Sequence, residues 1–381
     1  MRPFLYLLSI FLLLCACAQR NVTTSPVPAA SKAPEAAAPV ATPQTQQAPI
    51  AALLLPLSGT NALLGQNLLQ AAQLALFENP ASNIQLIPID SNISIQNAIA
   101  QASTRGAGTI IGPVFGQEAK SLAPGAQAAR LKMLALTNDR SAAAPGVYVL
   151  GVTPESQIAR VVDFALSQGI KTYAALLPDN AFGHIALTTL QTKMQQASGQ
   201  LITGIFYPSN ALDYTPYVQQ LVDLHKTQMF QALLLPEGGS KGKSLASLTR
   251  TLGLREDQVR LLGSSLWLES AADPAFNGGW FPVTPPERWR DFRMKYQQSF
   301  GQAPDPRGLL VYDSVSLLAT INEQHPSAKD LENLDGFAGS SGLFRLNADG
   351  TIDRRLTILE AQPTGPILKD AAPNSFTSAL N

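Results

Sequence analysis

The chain has 381 residues and is electrically balanced, with 27 Lys plus Arg against 27 Asp plus Glu. Because neither half contains a basic block, the composition excludes a nucleic-acid partner of the usual electrostatic kind. Both cysteines, Cys15 and Cys17, lie near the amino terminus, so the rest of the chain forms no internal disulfide and must be held together by its core. After residue 49, no apolar run approaches the roughly 20 residues needed to span a bilayer.

The first 17 residues have the pattern of an export signal that ends in a lipid-attachment site. Arg2 provides a positive end, and residues 4–14 are apolar but too few to span a membrane. Residues 14–17 (LCAC) resemble the lipobox of bacterial lipoproteins, which implies removal of residues 1–16 and a lipid anchor on Cys17. The alternative is an ordinary signal peptide that is cut near Ala18. Because residue 18 is not Asp, the resemblance implies the outer membrane, facing the periplasm, with the outer face of the inner membrane as the alternative.

Residues 17–49 form an Ala/Pro-rich segment that we predict to be a disordered tether. Large apolar side chains are nearly absent from it, so it cannot bury enough surface to offset its ordering entropy. Proline favours an extended chain of about 3.1 Å per residue, which gives a reach on the order of 100 Å. Such a reach suits a domain that acts away from its membrane, although a simple spacer would have the same composition.

From residue 50 onward, short apolar runs alternate with helical patterns, and the alternation starts again after residue 150. This predicts an α/β fold with two doubly wound parallel-sheet lobes and a cleft where the carboxyl ends of the strands meet. We expect Thr60 to cap the first helix, and residues 348–350 to turn a hairpin between strands over residues 343–347 and 351–359. The predicted strands are 50–55, 84–89, 109–111, 131–136, 147–150, 172–177, 201–206, 230–235 and 258–262. The predicted helices begin near residues 60, 95, 117, 155, 181, 214 and 243, and two more cover about 286–299 and 306–322.

Four short motifs in this order resemble the type I periplasmic-binding fold, in its leucine-binding branch. They are residues 54–59 (LLPLSG) with Gly65, 111–113 (IGP), 178–183 (PDNAFG) and 342–346 (GLFRL) with Asp349 and Gly350. The resemblance covers residues 50 to about 362 and implies three crossings of the chain between the lobes. It implies a first lobe of 50–150 with 266–335, a second lobe of 151–265 with 336–362, and a carboxyl-terminal tail of 363–381.

A narrower set of motifs resembles the lipoprotein activators of penicillin-binding proteins. The set comprises residues 112–115 (GPVF), 136–139 (LTND), 146–148 (GVY) and 151–155 (GVTPE) followed by 160–162 (RVV). Members of that family bind and stimulate peptidoglycan synthases, and larger members carry an additional amino-terminal helical-repeat domain, where this chain has the tether. The resemblance therefore implies a peptidoglycan synthase as partner. The alternative is a substrate-binding lipoprotein of an ABC transporter for amino acids or related small solutes.

The cleft candidates follow from the ends of the strands and from the resemblance. In amino-acid-binding relatives, hydroxyl groups at the start of the helix after the third strand hold the ligand carboxylate, aided by the positive helix end. Here residues 114–117 (VFGQ) contain no Ser or Thr, which argues against a free amino acid as ligand. The alternative for each candidate is a turn or capping residue. The cleft-binding candidates are Ser58, Gly59, Phe115, Thr137, Asn138, Asp179 and Phe182.

No catalytic, metal-binding or cofactor-binding pattern is visible in the sequence. The three histidines, His184, His225 and His325, lie far apart and have no zinc-ligand spacing. The chain contains no G-x-S-x-G nucleophile elbow, and its carboxylates are scattered rather than paired. We therefore expect a protein that is not an enzyme and holds no cofactor. The aromatic residues Trp267, Trp280, Phe281 and Trp289 fit either an interface or a core between the lobes.

Overall fold

The computed structural model describes residues 48–376. The predicted signal peptide, the predicted lipidation site Cys17 and the predicted tether up to residue 47 therefore lie outside the described residues. Among the residues that are described, no helix combines the length and the apolar character that a membrane crossing requires.

The described part of the chain contains fifteen strands and eleven α-helices. The strands are β1 Ile50–Leu55, β2 Gln85–Asp90, β3 Thr109–Ile111, β4 Lys132–Ala135, β5 Val147–Val149, β6 Thr172–Asp179, β7 Gln200–Pro208, β8 Ala232–Leu234, β9 Arg260–Leu262, β10 Trp280–Val283, β11 Phe337–Gly339, β12 Gly342–Leu346, β13 Ile352–Arg354, β14 Thr357–Glu360 and β15 Ile367–Asp370. The helices are α1 Ala62–Glu78, α2 Ser91–Ser94, α3 Ala98–Thr104, α4 Gly116–Ala128, α5 Pro154–Ser167, α6 Ala181–Gln196, α7 Thr215–Thr227, α8 Gly239–Thr251, α9 Pro286–Phe300, α10 Gly308–Ile321 and α11 Ala328–Leu331. The nine strands predicted before the hairpin are therefore all present, with ends that differ by up to two residues.

The first sheet is parallel and has the order β2-β1-β3-β4-β5. Its strand β1 is apolar throughout because both of its faces are covered. Leu53 and Leu55 join a core with α1, α9 and α10, whereas Ala52 and Leu54 join a second core with α3 and α4. Burial on both faces is the reason that this strand has a continuous apolar run instead of an alternating pattern.

The second sheet has the order β15-β14-β10-β9-β8-β6-β7 and is parallel apart from β14 and β15. Its strand β6 is likewise covered on both faces. Leu176 belongs to the core beneath α7 and α8, and Leu177 belongs to the core beneath α5 and α6. The predicted fold class of two doubly wound lobes is confirmed.

The third sheet, β11-β12-β13, is antiparallel and packs on the first lobe. Phe344, Leu346 and Ile352 join the core that contains α1 and α10. The Val149 amide donates a hydrogen bond to the Gly350 carbonyl over 2.9 Å, which connects the tip of this sheet to the edge of the first sheet.

Two segments lie in the other lobe from the one implied by the resemblance. Strand β10 was expected within lobe one, but it pairs with β9 and β14 in the second sheet. Strands β12 and β13 were expected within lobe two, but they pack on the first. We therefore propose a first lobe of about 48–151 with 286–355, and a second lobe of about 152–285 with 356–370.

Three local predictions were wrong. Thr60 does not cap α1, because a short 3-10 turn over Gly59–Asn61 precedes the helix and no side chain caps it. The predicted tail 363–381 contains β15, which pairs with β14. The hairpin at residues 348–350 is present, but its return strand ends at Arg354. The chain then crosses into the second sheet as β14, because residues 357–360 pair there with β10.

Candidate functional site

The cleft between the lobes contains two adjoining cavities. The larger, which we call the main cavity, has a volume of about 1050 Å³. The smaller, the side cavity, has a volume of about 1000 Å³ and shares Gln117, Asn138 and Asp139 with the main cavity. Both are lined from the first lobe by the first turns of α4 and by the loop that follows β4, and from the second lobe by the 3-10 helix Ser265–Ser270. The strands of the first sheet thus direct their carboxyl ends into the cleft.

The structure brings four of the seven cleft candidates together. Phe115, Thr137 and Asn138 line the main cavity, and Asn138 also lines the side cavity, where Phe182 faces it from the start of α6. These residues share the cleft because each follows, or lies close after, the carboxyl end of a parallel strand. Their role in binding stays a prediction.

The remaining three candidates, Ser58, Gly59 and Asp179, line neither cavity. The Ser58 carbonyl accepts a hydrogen bond from the Asn92 side chain. The Asp179 carboxylate lies 3.0 Å from Nε2 of His184, and both side chains are more than half exposed. These contacts fit the turn-forming interpretation that their sequence also allowed.

The start of α4 carries a feature that the sequence analysis did not single out. Phe115 precedes the helix in an extended conformation and its side chain provides no cap. The Asp139 carboxylate lies against the first helical residue, since a Cβ placed on Gly116 would be only 2.8 Å from Oδ2 of Asp139. This position lies beside the positive end of α4, where relatives hold the carboxylate of a ligand. The chain therefore places its own carboxylate at that end of the helix.

Asp139 is held in place by contacts on both sides. Its Oδ2 forms an ion pair with Nζ of Lys120 over 2.8 Å, and its Oδ1 accepts a hydrogen bond from the Ser141 amide over 3.0 Å. The hydrogen bonds from Lys120 and Ser141 lower the pKa of Asp139, so the group is ionised at neutral pH. A signal for this residue was available, because Asp139 closes the LTND motif directly after β4.

The walls of the main cavity are largely apolar. Leu310 and the partly exposed Trp289 line it from the first lobe, and Leu268, 41% exposed, lines it from the second. Leu266, 54% exposed, lines the side cavity. Two neighbouring leucines on one short 3-10 helix thus present apolar surface to the cleft.

The aromatic cluster is divided between the core and the cleft. Trp267 and Phe281 are completely buried, and Trp280 is almost so. The Nε1 group of Trp267 donates a hydrogen bond to the Glu237 carbonyl over 2.9 Å. The interface interpretation is therefore wrong for these three residues, which form the core of the second lobe. Trp289 alone of the four lines the cleft.

A buried polar network lies beneath the main cavity, which Ser341 lines. The buried Asp313 accepts hydrogen bonds from the Ser340 amide over 2.7 Å and the Ser341 amide over 2.8 Å. The Ser341 hydroxyl donates to Asp313 and accepts from Arg354. Nη2 of Arg354 donates to the Leu150 carbonyl over 2.8 Å. The network thus connects α10 to two of the three places where the chain crosses between the lobes.

Burial controls the ionisation of this network. Desolvation raises the pKa of Asp313, whereas the hydrogen bonds from Ser341 and the charge of Arg354 lower it by less. Desolvation also lowers the pKa of Arg354 to about 10, which leaves the guanidinium charged at neutral pH. The sequence did not reveal this pair, because 41 positions, from 313 to 354, separate its members.

Comparison with known proteins is consistent with this architecture. The periplasmic binding protein family matches residues 51–366. The penicillin-binding protein activator LpoA of Haemophilus influenzae is 29% identical over 174 residues, which is 44% of this chain but only 29% of that protein. The chain therefore spans less than a third of the length of this relative.

Two solved structures show the same fold. The LpoA (YraM) C-domain from Haemophilus influenzae, a regulator of PBP1A, superimposes with a TM-score of 0.67 at 20% identity, covering 84% of this chain and 99% of that domain. A protein from Rhodospirillum rubrum, described as a branched-chain amino acid ABC transporter, has a TM-score of 0.75 at 16% identity and covers 85% of this chain and 100% of its own. With a matching family profile over most of its length and a two-lobed α/β body, the chain belongs to the periplasmic binding protein family.

Proposed function

We propose that this protein is a non-catalytic, lipid-anchored regulator that binds and activates a peptidoglycan synthase of the penicillin-binding protein class. One observation carries the proposal: the Asp139 carboxylate lies at the start of α4, where a transport receptor of this fold would hold its ligand. A ligand carboxylate there would have to compete with Asp139 for the helix end and for its ion-pair partner Lys120. The local similarity to LpoA supports the same function.

We further propose that a lipid on Cys17 anchors the protein to the outer membrane, facing the periplasm. The support comes from the sequence, since the LCAC box, Ala18 and the Ala/Pro-rich segment fit an anchored protein that reaches its partner through a tether. Substituting Cys17 by Ala should release the protein from the membrane fraction. An unchanged membrane association would contradict the anchor.

The direct test uses a soluble form that starts at residue 18 and the purified synthases of the same organism. We expect binding to one of them and a faster rate of glycan polymerisation or peptide crosslinking. Because we infer that the protein acts by binding alone, it should have no activity without the synthase. A soluble form that binds no synthase and leaves every rate unchanged would refute the proposal.

The alternative, a transport receptor, is favoured by the cleft itself and by the fold shared with the transport protein from Rhodospirillum rubrum. A ligand present at 100 times its Kd would stabilise the folded protein by about 2.7 kcal/mol. We expect no increase in Tm with free amino acids, because Asp139 disfavours their carboxylates. An increase with any of them, retained at physiological salt, would favour transport.

A further inference from the structure

The end of the described chain forms a fourth connection between the lobes. Strand β15 pairs with β14 at the edge of the second sheet, with Asp370 opposite Ile358. Because the pair is antiparallel, β15 runs back toward the place where the chain crosses between the lobes. Residues 371–376 then reach the three-stranded sheet, which packs on the first lobe.

The far end of this segment is held by an aromatic ring between two arginines. The Phe376 ring centroid lies 4.5 Å from Cζ of Arg345 and 4.5 Å from Cζ of Arg355. The ring also lies against Gly336, where a Cβ would be only 2.6 Å from a ring carbon. Arg345 is itself fixed by an ion pair with Asp353 over 2.5 Å. The ring therefore occupies a site on the first lobe whose surroundings are already ordered.

The near end of the segment is held on the second lobe. Asp370 forms an ion pair with Arg160 of α5. Nε of Arg160 donates a hydrogen bond to the Leu356 carbonyl over 2.8 Å, at the point where the chain has just crossed between the lobes. The same arginine thus connects the start of the segment to the crossing beside it.

The segment between these two contacts is short. Six extended residues span at most about 20 Å, and Pro373 restricts the backbone further. A rotation that moves the two contacts further apart than this reach must therefore either carry Phe376 out of its site or separate Asp370 from Arg160.

We propose that residues 371–376 act as a strap that limits the rotation of the two lobes, and that the Phe376 ring attaches this strap to the first lobe. The strap works alongside the three crossings of the main chain and restrains opening of the cleft. It is a property of the isolated protein and does not depend on the proposed partner.

The test measures the distance between the lobes by electron spin resonance. Both natural cysteines lie before residue 18. In a form that starts at residue 18, spin labels therefore react with two introduced cysteines, and no natural cysteine has to be replaced. Exposed positions on helices that border the side cavity suit the labels, namely Ser121 on α4 and Thr188 on α6. The variants are a chain that stops after Asp370, F376A, and F376W, which keeps an aromatic ring. N374A changes an exposed residue of the same segment and is the matched control.

We expect one narrow distance distribution for the wild type, N374A and F376W. The truncated chain and F376A should show a broader distribution with a second population at longer distance. F376A keeps β15 and the length of the chain, so it decides the matter if the truncated chain fails to fold. A distribution for F376A that matches the wild type would overturn the proposal, and so would a folded truncated chain with the wild-type distribution.

Discussion

Replacing Arg354 by Met tests whether the buried network stabilises the protein as its geometry indicates. Met keeps most of the apolar stem of the arginine but removes the donors to Ser341 and to the Leu150 carbonyl. It also removes the positive charge that Arg354 places near the buried Asp313. Removing one member of a buried charged pair costs about 3–5 kcal/mol. Because Arg354 reaches Asp313 through the Ser341 hydroxyl, R354M should lose free energy of unfolding at the lower end of that range at pH 7.

The loss should depend on pH, with a sign set by Asp313. Burial raises the folded-state pKa of Asp313 above its ordinary value of 3.8. The folded protein therefore binds this proton more tightly than the unfolded chain, and its stability falls as the pH rises from 3.8 through the folded-state pKa. The charge of Arg354 opposes the shift, so R354M raises the pKa further. A protonated Asp313 needs no cation, and the cost of R354M should be smaller at pH 5 than at pH 7.

Urea unfolding followed by circular dichroism at both pH values measures these differences. Because two lobes can unfold in separate steps, the transitions are fitted individually where they separate. The control is the double variant D313N/R354M, which lacks the buried carboxylate and should lose the pH dependence. A cost of R354M below about 1 kcal/mol at pH 7, or a cost that is larger at pH 5 than at pH 7, would refute the argument.

Two further predictions concern close packing and the Asp139 carboxylate. G65A should lower the free energy of unfolding by at least about 1–3 kcal/mol, because the new Cβ would lie 2.1 Å from the Pro56 carbonyl oxygen; thermal unfolding checks this. G125A, whose Cβ would meet its nearest atom at 3.4 Å, is the control and should be neutral or stabilising by up to about 1 kcal/mol. D139A should cost less than about 1 kcal/mol at pH 7, since its ion pair with Lys120 is more than a third exposed. The pKa of Asp139 is lowered in the folded state, so this cost should disappear as the pH falls below the unfolded value of 3.8 and through the folded one, which stability curves at pH 3 to 7 would show.

The sequence predicted the elements of the fold better than their assignment to lobes. Strands such as β1 and β6 are buried on both faces, so a continuous apolar run marks them locally. The membership of β10 depends on pairing with β9 and β14, which are distant in sequence. Residues 282–286 contain three prolines, a local signal that favours a turn, although residues 280–283 form a strand. The lobe to which a strand belongs is decided by long-range pairing, and the periodicity of the sequence does not reveal that pairing.

The candidate site shows the same division between local and tertiary information. Phe115, Thr137 and Asn138 were predictable because the topology brings the loops after parallel strands to one edge. The contact between Asp139 and Gly116 depends on how β4 and α4 pack, and the Asp313–Arg354 network depends on where the third sheet docks on the first lobe. Neither leaves a spacing that a sequence pattern can detect.

Variants of the strap test whether activation of the synthase depends on the angle between the lobes, without any change to the residues that line the cleft. Two cation–π contacts of Phe376 are together worth about 1–2 kcal/mol at partly exposed sites. F376A should therefore increase the ratio of opened to restrained molecules by a factor of roughly 5–30. If the synthase recognises the restrained form, F376A should activate it less than the wild type does. The loss of activation should not exceed the fraction of restrained molecules that the substitution removes, and F376W should activate fully. Activation by F376A equal to the wild type, in a sample whose lobe distances have broadened, would show that the synthase binds a surface of one lobe and does not depend on the angle between them.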